Sequence, residues 1–264
     1  MRYSIFTIYL ISRYKSILLW SISMALLAIM FTALYEPFAG AVEGMAEIAP
    51  AEMESIWGGN LEYASTPAGW LGIELYGIFL PIVLAIIAVN SGSTAIGGEE
   101  DSGTLELLLA SPISRSRIVV EKSLSIITQI GLVAISVWGG VALGSFLFSF
   151  KVSLLDVLLA TIMAWLFGTS ISYLSLCVHS ITGSKGLAIG IGSLFVGLSY
   201  IANVLAQLLN SLSGLKYFST FYYYSGGTVL VEGLSTTNFL VLAGASVILW
   251  ILSVRFFETR DTGV

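Results

Sequence analysis

Six apolar stretches, each about as long as a bilayer is thick, constrain this chain more than any other feature. A hydrocarbon core of about 30 Å needs roughly 20 helical residues. Windows of that length, bounded by charges or turn residues, occur at 17–35, 70–89, 124–148, 157–178, 187–209 and 239–257. The runs are continuous rather than alternating, which argues against an antiparallel barrel. Composition agrees, because only 10% of the 264 residues are charged and 56% are hydrophobic, against about 25% charged in soluble domains. The expected fold is an all-α integral membrane protein with six transmembrane helices in a single domain, 1–264.

Lys and Arg set orientation, since acidic residues contribute little to topology. Arg2, Arg13, Lys15, Arg115, Arg117, Lys122, Lys185, Arg255 and Arg260 fall on one side of the six spans, leaving Lys151 and Lys216 on the other. Both termini are therefore expected in the cytoplasm. The stretch 36–69 then becomes an external loop with six glutamates and no Lys or Arg, read as a solvated acidic cap in which Pro50 opens a short helix. Ala39-Gly40-Ala41 after the first span resembles a signal cleavage site. The apolar run ahead of it exceeds the roughly 7 to 15 residues of a signal core, so it reads as a retained helix.

Several functions are excluded or disfavoured. With a net charge of -5 and scattered basic residues, the chain has no stripe for nucleic acid. His179 stands alone and cannot supply the two histidines of an HExxH zinc site. Ser170 and His179 lie nine residues apart on one span, roughly 13 Å along a helix axis, so they form no nucleophile and base pair. None of the five lysines follows a glycine, so the phosphate-cradling Gly-Lys of a Walker loop is absent. The chain is expected neither to be an enzyme nor to bind a cofactor or metal.

The strongest local signal lies between the second and third spans, in Glu99-Glu100-Asp101-Ser102-Gly103-Thr104-Leu105-Glu106 and the residues to Arg115. Asp101 or Ser102 can cap a helix with a negatively charged first turn, and Pro112 stops it at or before Ser111, giving about two turns. Leu105, Leu108 and Leu109 share a face and need a covering surface. That surface is either the lipid interface or another protein.

This run, Glu-Glu-x-x-Gly-Thr-Leu-Glu-x-Leu-Leu-x-Ser-Pro-x-Ser-Arg followed by Lys122, resembles the first cytoplasmic loop of permease subunits of ATP-binding-cassette transporters of the type-two exporter class. Residues 215–222 and 257–261 add weaker matches, and in order and spacing the likeness covers nearly the whole chain. The resemblance implies one half of an exporter pore. The chain would pair with a second permease, identical or homologous, and with two separate ATPase subunits that carry ATP and magnesium. Its place would be the cell membrane of a prokaryote, as a multi-pass protein. Residues 99–111 would form the coupling helix, with Glu99, Glu100, Thr104, Leu105, Glu106, Leu108 and Leu109 meeting the ATPase. Residues 1–15 would form a membrane-surface helix. Glu100→Ala or Leu105→Asp would then weaken docking and leave folding intact. The alternative is a channel or secondary carrier that works without an ATPase.

The fifth span carries a polar stripe, Tyr200, Asn203, Gln207 and Asn210, with Val196 one turn earlier. Such stripes serve either as interhelical glue or as pathway lining. By the resemblance, the fifth and second spans line the route, which makes Tyr200, Asn203 and Gln207 the candidate lining. Pro81 is expected to kink the second span. Between 211 and 238 an aromatic cluster broken by Gly226-Gly227 reads as a re-entrant pair of half-helices on the outer side, its aromatics forming an interfacial belt.

Overall fold

The computed structural model describes residues 4–48, 63, 65–110 and 112–260, and all regular structure among them is helical. Six long helices are α1 (Ile5–Ile48), α2 (Pro67–Asp101), α4 (Arg115–Leu147), α5 (Leu154–Thr182), α6 (Lys185–Leu208) and α9 (Thr236–Thr259). The short ones are α3 (Leu105–Leu109), α7 (Thr220–Tyr224) and α8 (Gly226–Glu232), with a 3₁₀ segment at Asn210–Phe218.

Serine starts most of the long helices. The hydroxyls of Ser114, Ser153, Ser184 and Ser235 each accept the backbone N–H three residues on, at 3.3 to 3.4 Å, satisfying a donor that the first turn cannot use internally. Gly183, at φ +66°, closes α5 and gives its N–H to the His179 carbonyl at 2.8 Å. The helices extend beyond the apolar windows because these caps, and not the hydrocarbon edge, decide where they end.

Helix α5 is the centre of the bundle and packs against α2, α4, α6, α8 and α9. Within their most apolar windows 61% of α2 and of α5 is buried, against 17% of α6 and of α9, so the latter two lie on the outside. Helix α1 lies along α4, where a Cβ at Gly140 would meet the Ala25 carbonyl oxygen at 2.5 Å and one at Gly144 would meet Thr32 Oγ1 at 1.9 Å. The GxxxG spacing on α4 is therefore a packing device. The matching pair on α6 is not, since nothing lies within 4 Å of a Cβ built at Gly190.

Three expectations need correction. Residues 5–15 form no separate surface helix, because α1 runs unbroken from Ile5 through Pro37 to Ile48. Its first turns contain neither Gly nor Pro to break them. The loop expected from residue 36 onward is thus helical as far as 48, and the helix expected to open at Pro50 lies outside the described residues.

At Pro81 the helix changes register. Gly72–Phe79 is a π segment, and Leu80 N–H bonds the Leu75 carbonyl five residues back. In that register the Tyr76 carbonyl should receive the N–H of residue 81, which proline lacks. The Tyr224 hydroxyl donates to it instead at 2.7 Å.

The third correction concerns the segment that carries Tyr224. The aromatic cluster is only in part an interfacial belt. Tyr217 and Phe218 are exposed, but Tyr224 is buried, and Phe221 packs edge-on to Phe167 and Tyr200. Helices α7 and α8 fold back into the bundle, with Val229 and Leu230 in the core.

Candidate functional site

Helix α3 sits at one end of the bundle. It is shorter than expected, one and a half turns beginning after Thr104, and Asp101 belongs to the last turn of α2 instead of capping α3. Gly103 at φ +68° makes the turn between them. Leu105 is buried, and Leu108 and Leu109 pack against the same core. The shared leucine face is therefore covered by the bundle itself. What α3 turns outward is Glu106 and Leu107, the latter 74% exposed. The spacing that puts Leu105, Leu108 and Leu109 on one face leaves Leu107 opposite them, and that is its signal in the sequence. Ser111, placed at the end of this helix, lies outside the described residues.

Of the acidic residues just before α3, Glu99 and Glu100 are half-buried and Asp101 is exposed, and each reaches a basic group. Glu99 pairs with Lys122 of α4, Asp101 with Lys185 of α6 at 2.9 Å, and one oxygen of Glu100 with Arg260 just past α9. Glu100 Oε2 lies 2.7 Å from His179 Nε2 near the end of α5. Three carboxylates at a helix C-terminus oppose the helix dipole. Lys122, Lys185 and Arg260 offset that cost and tie the end of α2 to α4, to α6 and to the segment just past α9.

Arg260 also donates to the His179 carbonyl at 3.0 Å, and its own carbonyl accepts from Arg115 at 2.6 Å. Partial burial pulls the Arg260 guanidinium below its ordinary pKa, yet a guanidinium keeps its charge in proteins. Arg13 donates to Thr94 at 2.6 Å, and its guanidinium and the Lys122 ammonium each lie about 5 Å from the Tyr9 ring centre. Five of the basic residues assigned to one side, Arg13, Arg115, Lys122, Lys185 and Arg260, thus gather at the α3 end.

A groove between α2 and α6 runs toward the opposite end. Its volume is about 560 Å³, and Ile82, Ile86 and Val89 of α2 face Ile189 and Val196 of α6 across it. It meets a second recess of about 490 Å³, and Gly77, Tyr200 and Phe221 line both. The second is polar, with Asn203, Gln207, Lys216, Tyr222, Glu232 and Asn238 in its wall. The structure brings Tyr200, Asn203 and Gln207 together there. Asn210 lies past the end of α6, in the 3₁₀ segment.

Six bilayer-length helices, one of them central, with a short turn of helix at one end and a groove toward the other, define a multi-pass membrane protein of the permease kind. The chain belongs to the ABC-2 family transporter proteins, whose family model matches residues 3–262. It is 29% identical over 150 residues to the probable ABC transporter permease protein NosY of Stutzerimonas stutzeri, covering 52% of each chain. The chain thus spans about half the length of that relative.

Proposed function

We propose that this chain is the membrane half of an ABC exporter. Two permeases, identical or homologous, form the pathway, and two separate ATPase subunits drive it from the cytoplasm, each docking on an α3. ATP and magnesium belong to the ATPase. The observation that carries this reading is the linkage at the α3 end. Leu107 and Glu106 face outward from a helix joined through Gly103 to Glu99, Glu100 and Asp101, and those three pair with Lys122 of α4, Arg260 just past α9 and Lys185 of α6. A push on α3 displaces the end of α2, and α2 is one wall of the groove.

Within this scheme Glu99, Glu100, Leu105, Leu108 and Leu109 transmit motion from inside the bundle, and Thr104, Glu106 and Leu107 meet the ATPase. The mostly exposed faces of α6 and α9 leave surface for a second permease. In this reading the chemistry belongs to the ATPase, and the hydroxyls of Thr169 and Ser170 bond to the carbonyls of Trp165 and Phe167 within their own helix.

Reconstitution with an ATPase subunit that co-purifies with the chain tests the proposal. Nucleotide hydrolysis stimulated by wild-type permease and lost with Leu107→Asp supports it. Solute movement by the permease alone would favour the channel or carrier instead.

A further inference from the structure

The apolar groove and the polar recess share Gly77, Tyr200 and Phe221, so they form one continuous site that changes character along its length. Such segregation matches a molecule with a chain and a head. At about 560 Å³ the groove falls within the roughly 300–1,000 Å³ of sites that hold small ligands. It is a single channel, with room for one chain lying against Ile82, Ile86 and Val196.

A hydrocarbon chain moving from bilayer to groove exchanges one apolar setting for another, so the groove itself selects little. Selection belongs to the recess. Its wall holds one cation and one anion, Lys216 and Glu232, neither ion-paired among the described residues, together with the amides of Asn203, Gln207 and Asn238. The Lys216 ammonium lies 5.2 and 5.3 Å from the ring centres of Tyr217 and Tyr222, which fixes its position in the wall. A head carrying a net charge of either sign would leave one of the two charged residues facing its like. A head with both charges satisfies each.

We propose that this continuous site binds a single-chain amphiphile with a zwitterionic head, its chain between α2 and α6 and its head among Asn203, Gln207, Lys216 and Glu232. The inference rests on reading the α2–α6 groove as the pathway and names the class of cargo.

The test is photolabelling of the permease–ATPase complex in phosphatidylglycerol nanodiscs, using lysophosphatidylcholine with a mid-chain diazirine. Adducts are expected on peptides 77–90 and 189–200. Unlabelled lysophosphatidylcholine should compete about tenfold better than lysophosphatidylglycerol, and Lys216→Gln with Glu232→Gln should erase that preference, because those two charges carry the discrimination. Gly197→Leu should block labelling. It adds bulk to the groove where no atom lies within 4 Å of a built Cβ, so the fold has room for it.

Labelling spread over the exposed face of α1 without head preference would mean bilayer lipid only and would overturn the inference. So would a groove that resists labelling and instead cross-links to a second copy of the chain. ATPase capture is scored in the same sample. Capture without head preference overturns the amphiphile alone, and head preference without capture overturns the coupling reading alone.

Discussion

His179 Nε2 lies 2.7 Å from Glu100 Oε2, with the imidazole fully buried and the second Glu100 oxygen held by Arg260. One carboxylate therefore bonds the end of α2 to the segment after α9 and lies against the end of α5, whose His179 carbonyl accepts from the same Arg260. Removing it leaves a guanidinium whose side chain is 11% exposed without its counter-charge. Glu100→Ala should lower stability by about 3 kcal/mol, read as a lower melting temperature in detergent. Glu100→Leu with Arg260→Leu should recover much of the loss, because breaking such a pair costs more than deleting it.

Leu105 and Leu107 are two residues apart and do opposite things. Leu105→Asp buries a charge and should unfold the α3 end, lowering both melting temperature and ATPase capture. Leu107→Asp should leave the melting temperature within about 0.5 kcal/mol of wild type while reducing capture. Equal melting shifts in the two variants would contradict the burial pattern of α3.

Tyr224→Phe removes the only hydrogen bond described to the Tyr76 carbonyl in the π segment. A buried carbonyl left unpaired costs about 1–3 kcal/mol. Adding Pro81→Ala restores the missing N–H, so the double variant should be more stable than Tyr224→Phe alone by thermal denaturation.

Glycines of equal spacing should respond differently. Gly144→Ala drives a methyl group into Thr32 and should separate α1 from α4, whereas Gly190→Ala meets nothing and gains helix propensity of up to about 1 kcal/mol. Comparing melting temperatures of the two variants checks this.

The spans were legible because bilayer length and apolar content leave a strong mark on sequence, and the polar face of α6 was legible because Tyr200, Asn203 and Gln207 recur at helical spacing. The other wall of the groove was not. Ile82 and Ile86 read the same whether they face lipid, a neighbour or a pathway. The acidic run was misassigned for a related reason. Glu99, Glu100 and Asp101 resemble the favourable first turn of a helix, and their partners stand 23, 160 and 84 residues away. Nothing local announces Lys122, Arg260 or Lys185 as the groups that make the same acids acceptable at a helix end.

The most direct measurement of the central claim is cross-linking from α3 to the ATPase. In a Cys177→Ala background, which removes the lone, buried cysteine, a cysteine replacing Leu107 should bond to the ATPase subunit with a short bifunctional reagent, and one replacing Leu105 should not. Cross-linking at 105 and not at 107, or at neither position in a complex that hydrolyses ATP, would contradict docking on the outward face of α3.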